Sequence, residues 1–316
     1  MKAILYSKFG PPDVLRLQEV EKPVPKDHEI LIEVRAASVN PYDWRHLRAD
    51  PFFIRFMGAG LLKPKHKILG ADVAGRVEAV GGGVEQFRPG DEVFGDGGYG
   101  AFAEYVCVGE TRVVPKPAGL TFEEAAAVPM AGLTALQGLR DKGRIRAGQK
   151  VLVNGASGGV GSFAVQIAKS YGAEVTGVCG PSKMDLVRSI GADRVVDYTG
   201  QDVTRSGRRF DLIFDVAAYR PASRYAAILS PGGIYVVAGG SMARIFQAML
   251  KSLARARTIQ FLVAKVSQED LRSLVALLQA GTVKPVVDRC FPLEETAEAL
   301  RYLEAGHARG KVVITV

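Results

Sequence analysis

Val151-Leu152-Val153-Asn154-Gly155-Ala156-Ser157-Gly158-Gly159-Val160-Gly161 is the stretch on which the fold turns. Its apolar start predicts a buried β-strand over Lys150–Asn154, and Ser162-Phe163-Ala164-Val165-Gln166 opens a helix predicted over Val160–Tyr171. Between them stand Gly155, Gly158 and Gly161 at three-residue spacing, with Gly159 added. Strand, glycine turn and helix in that order make a pyrophosphate site. Backbone N–H groups and the positive helix end meet the phosphates, and a Cβ would block that approach. A glycine triplet alone carries little weight; the strand before it and the helix after it supply the confirming context.

Outward from this turn, the spacing predicts strand Glu174–Val178, helix Ser182–Ile190 and strands Arg194–Asp197 and Leu212–Asp215. Helix Ala222–Leu229, strand Ile234–Ala238, helix Ser241–Leu253 and strand Thr258–Val266 follow. Apolar strands split by helices imply an α/β fold with a doubly wound parallel sheet. Upstream, short β-rich runs (Lys2–Tyr6, Glu29–Ala37, Ala74–Val80, Tyr105–Val108) are punctuated by Pro11-Pro12, Gly81-Gly82-Gly83 and Pro89-Gly90-Asp91. That pattern predicts a compact β-rich domain. Thr121 and Glu124 stand at capping-box spacing before an apolar helix, Ala125–Leu139. Helix Gln268–Ala280, strand Val283–Val287, helix Glu294–Ala305 and strand Lys311–Val316 complete the chain and return it to the first domain. The expected division is 1–122 with 285–316, and 123–284.

Composition narrows the class. In 316 residues, 47% hydrophobic and 23% charged is a globular balance, and the length suits two domains. Cys107, Cys179 and Cys290 are too few and too dispersed for a disulfide framework or a four-cysteine zinc lobe, so a reduced, cytoplasmic protein is expected. The longest apolar stretch, Ala125 to Leu139, is shorter than the ~20 residues of a membrane span. The formal charge of +8 comes with no zinc knuckle and no aromatic-interleaved basic repeat, which argues against a nucleic-acid partner. Lys63 and Lys65 read as a solvated loop.

The end of the second strand selects the cofactor. A ribose 2′-hydroxyl would call for Asp or Glu there, whereas this chain has Val178-Cys179-Gly180-Pro181-Ser182-Lys183. Gly180 leaves room for a 2′-phosphate, Ser182 can donate to it and Lys183 brings positive charge, so NADPH is expected over NADH. Ser182 with Asp185 also fits a helix cap. Cys179 reads as a small strand-end residue beside the cofactor, not a reactive thiol.

With these pieces in place the chain resembles the medium-chain dehydrogenase/reductase superfamily, in its zinc-free quinone oxidoreductase branch. The carriers are Ser38-Val39-Asn40-Pro41-Tyr42-Asp43, Leu69-Gly70-Ala71-Asp72-Val73-Ala74-Gly75, Pro89-Gly90-Asp91-Glu92-Val93, Ala126-Ala127-Val128-Pro129, Gly132-Leu133-Thr134-Ala135 and the glycine turn. The resemblance implies a Rossmann sheet plus a β-rich GroES-like catalytic domain. Zinc members coordinate their metal through a Cys, a His-Glu pair and a second Cys; the matching positions here are Asn40, Ala71-Asp72 and Met130. Of these only Asp72 is an ordinary zinc ligand, so no metal is expected. Without a Lewis acid, alcohol oxidation is disfavoured. Hydride transfer from NADPH to a quinone or an α,β-unsaturated carbonyl is the implied reaction, with an alcohol/carbonyl oxidoreductase or an NADPH-binding protein of little turnover as alternatives.

The resemblance also assigns residues. Asn40 is the first candidate donor to the substrate oxygen and Tyr42 the second, with Asp43 buttressing their loop or the ribose; an Asx-type turn is the structural alternative for this segment. Thr134 is expected near the nicotinamide ribose, Ser157, Gly158, Gly159 and Val160 at the pyrophosphate, and Tyr198 near the adenosine phosphate. Gly239 and Gly240 should pass the nicotinamide, with Phe261 and Val263 closing over it. His307, Ala308 and Arg309 lie in a segment that approaches the cofactor in relatives, and otherwise form an ordinary loop. The segments Asp96–Phe102 and Gln247–Thr258 are shorter than in many relatives. The apolar strand Thr258–Val266 would sit at a sheet edge and pair across a two-fold axis in a homodimer.

Overall fold

Val151, Leu152 and Val153 are fully buried in a six-stranded parallel sheet. The computed structural model describes residues 1–56, 59–241, 243–244, 247, 250 and 258–316. In space the strands run Arg194–Asp197, Glu174–Cys179, Lys150–Asn154, Phe210–Asp215, Leu229–Val237 and Ile259–Phe261. From Lys150–Asn154 the chain moves outward through two strands, then returns to its other flank with Phe210–Asp215. The glycine turn leaves the C-terminal end of the strand where the order reverses, the place where open α/β sheets bind ligands. The following helix, Gly159–Ser170, buries Phe163, Ala164, Val165, Ile167 and Ala168.

The β-rich part forms a seven-stranded sheet. Its long strand Glu29–Val39 pairs antiparallel with Asp72–Val80, Tyr105–Gly109 and Lys311–Thr315. Ser38 thereby faces Asp72, and Val39 faces Val312, the residue after Lys311. The chain divides into two compact units, Met1–Met130 with Val266–Val275 and Pro285–Val316, and Ala131–Lys265 with Ala276–Lys284. Among the described residues, no helix is long and apolar enough to cross a membrane.

Several elements differ from the sequence expectation. The helix expected over Ala125–Leu139 is two helices, Phe122–Ala126 and Pro129–Gln137, then a π-helical turn over Gly138–Lys142. Pro129 cannot donate an N–H to a continuing helix. The capping box at its start does form, with Thr121 N–H donating to Glu124 at 2.9 Å and Glu124 N–H to Thr121 Oγ1 at 3.2 Å. Val283–Val287 is not a strand; the strand is Val287–Pro292, parallel to Lys311–Thr315. The Gln166 side chain instead takes both backbone groups of Lys284, at 2.8 and 2.9 Å. Gln137 likewise takes both backbone groups of Lys265, and the strand expected over Thr258–Val266 is only Ile259–Phe261. A side-chain amide mimics a strand partner and ends the pairing. No side-chain cap is made by Ser182, which lies in a 3₁₀ turn before helix Met184–Ser189, and Asp185 pairs with Arg188 at 2.7 Å. Most of the expected helix Ser241–Leu253, and the segment Gln247–Thr258 with it, lies outside the described residues.

Candidate active site

In the parallel-sheet unit, Gly155 holds φ +83° and its N–H donates to Val178 O at 3.1 Å, tying the turn to the neighbouring strand. Gly161 packs so closely that a Cβ there would lie 2.0 Å from Gly155 O. Gly158 is different: a Cβ on it would meet nothing nearer than 3.6 Å. The chain itself does not require glycine at 158, so the bare backbone there is a cradle left open beside the helix N-terminus. Ser157 is buried under it, and Gly159 and Val160 start the helix.

At the next strand end, Tyr198 N–H donates to Cys179 O at 3.2 Å and the Tyr198 ring lies beside Gly180. Lys183 N–H closes the turn onto Gly180 O at 3.1 Å. Cys179 is buried, which pushes its thiol up to about 11 and keeps it protonated at neutral pH. Ser182 and Tyr198 are exposed and Lys183 half-buried. No carboxylate interrupts Val178 to Lys183. This surface fits a phosphate-bearing ribose.

Deeper in the same unit, Asp215 accepts from Asn154 Nδ2 at 2.7 Å, Tyr235 Oη at 2.7 Å and Ala218 N–H at 2.7 Å. Burial raises its pKa. The network ties together three adjacent strands, Lys150–Asn154, Phe210–Asp215 and Leu229–Val237. Gly239 and Gly240 follow the fifth strand, Phe261 ends the sixth with Val263 just beyond it, and Thr134 sits half-buried on helix Pro129–Gln137.

In the β-rich unit, a polar pocket gathers residues from distant segments. Ser38 Oγ donates to Asp72 Oδ2 at 2.6 Å, and Asn40 Nδ2 donates to Asp72 Oδ2 at 2.9 Å and to Ser38 O at 3.2 Å. Met130 N–H donates to Asp72 Oδ1 at 2.9 Å. Lys311 Nζ reaches Asn40 Oδ1 and stands 3.3 Å from Asp72 Oδ2. The Asp43 carboxylate accepts from Asn40 N–H at 2.8 Å and Gly70 N–H at 3.1 Å. Asp43 and Asp72 are fully buried, and Asn40 and Lys311 nearly so. Burial pushes Asp43 up to about 7, with the neighbouring Asp72 charge adding and its two N–H donors opposing. Burial also lowers the Lys311 pKa, against the pull of Asp72.

This pocket revises two sequence readings. An ammonium can only donate, so Asn40 must turn its oxygen to Lys311 and its NH₂ to Asp72. Both amide hydrogens are then used within the protein, and none is left for a substrate. The Asn-Pro-Tyr-Asp segment is a helix start, with Asn40 capping Pro41–Arg48, in place of an isolated Asx turn. Lys311 was hidden in the sequence because it heads the apolar run Val312-Val313-Ile314.

Above this helix start, four rings assemble. Tyr99 stacks on His66 at 3.9 Å between centroids, Tyr42 lies 3.9 Å from His46, and Tyr42 and Tyr99 are 5.5 Å apart. The Tyr42 hydroxyl donates to that of Tyr99, and burial together with this bond raises the Tyr42 pKa. Burial lowers both histidines, keeping them neutral near pH 7. Sequence reading found Tyr42 but missed His46, one helical turn further along Pro41–Arg48, and Tyr99 and His66, whose spacing follows no period. His307 and Arg309 are exposed and Ala308 is buried; the Arg309 N–H donates to Asp288 at 2.9 Å, which ties this segment to the strand Val287–Pro292.

The positions of a zinc site do not fit zinc. Asn40 Oδ1 is taken by an ammonium, Ala71 has no donor atom, and Asp72 is occupied by four donors. Zinc requires three or four deprotonated or neutral N, S or carboxylate ligands free to coordinate. Among the described residues no group of three His, Cys, Asp or Glu side chains could hold a metal ion.

A switch-point glycine turn and a carboxylate-free strand end define a dinucleotide-dependent oxidoreductase. Residues 26–118 match the alcohol dehydrogenase GroES-like domain, and residues 190–314 match the family described as zinc-binding dehydrogenase. The chain is 34% identical to the chloroplast envelope quinone oxidoreductase homolog of Arabidopsis thaliana, covering 99% of this chain and 98% of the relative. It is 34% identical to the chloroplastic NADPH-dependent alkenal/one oxidoreductase of the same plant, covering 99% and 79%. The quinone oxidoreductase structure from Coxiella burnetii superposes with a TM-score of 0.90 at 30% identity, covering 100% and 99%. The chain belongs to the medium-chain dehydrogenase/reductase superfamily, in its zinc-free quinone oxidoreductase branch.

Proposed function

We propose that this protein is an NADPH-dependent reductase of quinones or α,β-unsaturated carbonyl compounds that works without a metal ion. The observation that carries the proposal is the pairing of an open glycine cradle at Gly158 with a strand end bearing Lys183 and no carboxylate. The names of the relatives, quinone oxidoreductase and NADPH-dependent alkenal/one oxidoreductase, support the same chemistry. NADPH, when bound, supplies the hydride.

The chain's residues bind and orient. Ser157, Gly158, Gly159 and Val160 offer backbone N–H groups to the pyrophosphate, and Ser182, Lys183 and Tyr198 hold the 2′-phosphate beside Cys179. Thr134, Gly239, Gly240, Phe261 and Val263 are assigned to the nicotinamide end, and His307, Ala308 and Arg309 are cofactor candidates on the resemblance alone. In the β-rich unit, the Tyr42 hydroxyl is committed to Tyr99, and the Tyr99 hydroxyl donates to the carbonyl oxygen as negative charge gathers there. Burial raises the Tyr99 pKa, which keeps that donor protonated at neutral pH. Asn40 and Asp43 hold the helix bearing Tyr42 and touch no reacting atom. Ile259–Phe261 ends its sheet, which supports a homodimer closing that edge, and three free cysteines support a reducing, cytoplasmic setting.

The test is NADPH oxidation by chelator-treated protein with a quinone, a 2-alkenal and a simple ketone, each with an NADH control. Turnover of quinone or alkenal, preferring NADPH, is expected. Ketone turnover abolished by chelation would overturn the proposal.

A further inference from the structure

Large hydrophobic side chains are exposed at ten described positions, and four of them, Phe52, Phe56, Leu61 and Leu62, fall within eleven residues. The others are dispersed along the chain, as is ordinary for a protein surface. The clustered four are 61%, 69%, 53% and 86% exposed. They do not dangle from a loose loop. Phe52–Arg55 is a 3₁₀ helix, Ala59 N–H donates to Ile54 O at 3.3 Å, and Lys65 N–H donates to Ala59 O at 2.8 Å. The Phe52 and Phe56 rings meet edge-on at 5.8 Å. Arg55 lies between the rings of Phe9 and Phe52, at 4.6 and 4.9 Å, and braces the base of the patch. The backbone therefore holds these apolar groups out in water at a standing cost.

Charge around the patch identifies what relieves that cost. Between residues 50 and 67 stand Arg55, Lys63, Lys65 and Lys67 against the single acid Asp50, and the three lysines are exposed. An apolar tip beside flexible cations matches a bilayer with anionic headgroups: the rings and leucines enter the acyl boundary, and the lysines reach the phosphates. A second copy of the same patch would bring like charges together. Nucleic acid would leave Leu61 and Leu62 in water.

We propose that Phe52, Phe56, Leu61 and Leu62, with Lys63 and Lys65 beside them, dock the protein on an anionic phospholipid membrane surface, peripherally and reversibly. The proposal stands independently of the acceptor the enzyme reduces. Vesicle flotation of the full chain tests it, using phosphatidylcholine vesicles with and without phosphatidylserine at low and high salt. The protein should float with the phosphatidylserine vesicles, and high salt or pure phosphatidylcholine should weaken binding ~tenfold or more. Leu62→Ser should lower partitioning ~tenfold through lost apolar burial. Lys63→Glu with Lys65→Glu should lower it more than ~25-fold, at about fivefold for each lysine removed. Both variants should keep the wild-type melting curve and the wild-type turnover of a water-soluble acceptor. Three results would overturn the proposal: no flotation of the wild type on phosphatidylserine vesicles, a change in sedimenting mass as the only effect of Leu62→Ser, or salt-sensitive retention on RNA without retention on vesicles. Loss of turnover with vesicle binding retained would equally overturn it, by assigning the segment to the reaction site.

Discussion

The glycine turn and the lysine-bridged pocket are both compact and buried, yet the sequence encodes them in opposite ways. The turn is one run, Gly155 to Gly161, and its function comes from backbone that side chains must not cover. The pocket is centred on side chains and is assembled across as many as 271 residues between Asn40 and Lys311. The turn carries no ionisable group; the pocket packs two carboxylates around one ammonium. In the first region the local chain specifies the chemistry. In the second, strand register does, by facing Ser38 with Asp72 and placing Lys311 next to the pair.

The sharpest test of the turn separates glycines that serve the fold from those that serve the ligand. Gly161→Ala drives a Cβ to 2.0 Å from Gly155 O and should cost more than ~4 kcal/mol, read as lost soluble yield or a collapsed melt. In the pocket, Lys311→Met leaves Asp72 buried without its cation and should cost ~3–5 kcal/mol in denaturant unfolding. Adding Asp72→Asn should recover part of that loss, because the stranded charge goes with it. If the double variant is no more stable than the single, the ammonium is not what holds the pocket. Gly158→Ala should leave stability near wild type and weaken NADPH binding ~tenfold to 100-fold by calorimetry, since only the ligand needs that space. Equal damage from Gly158→Ala and Gly161→Ala would erase the distinction.

What was legible follows the same division. Lys150–Asn154 and Arg194–Asp197 stand where the residue pattern put them, because each is decided by its own residues. The strands misread at Val283–Val287 and beyond Phe261 were decided elsewhere, by Gln166 and Gln137, whose amides capture the backbone of Lys284 and Lys265. The same holds at the site. Asn40 was found as a polar residue at a telling position, but its amide orientation depends on Lys311, which no local pattern marks. Tyr99 and His66 meet face to face only because two loops converge.

A smaller effect checks the cofactor end. Lys183→Ala should weaken NADPH binding ~tenfold while leaving NADH unchanged, the loss of one charge-assisted contact to the 2′-phosphate. An equal loss for both cofactors would move Lys183 from the 2′-phosphate to the shared pyrophosphate.

The smallest effect is specific to the pocket. Asp43 ionises at about 7 in the folded protein against an ordinary 3.8, so between those values the native state holds a proton that the unfolded chain has released. Stability must therefore fall as pH rises through that window and level off above it. The melting temperature of the wild type should drop by a few degrees between about pH 5 and about pH 8 through this group. Asp43→Asn should flatten that drop, at a lower absolute stability, because an amide oxygen cannot replace both carboxylate oxygens facing Asn40 N–H and Gly70 N–H. Lys311→Met should move the window slightly to higher pH, since the ammonium adds to the Asn40 and Gly70 N–H donors in opposing the rise of the Asp43 pKa. A variant in the glycine turn should leave the slope untouched, because nothing there titrates. If Asp43→Asn keeps the wild-type slope, the proton belongs to another group of the pocket, and Asp72 is the next to replace.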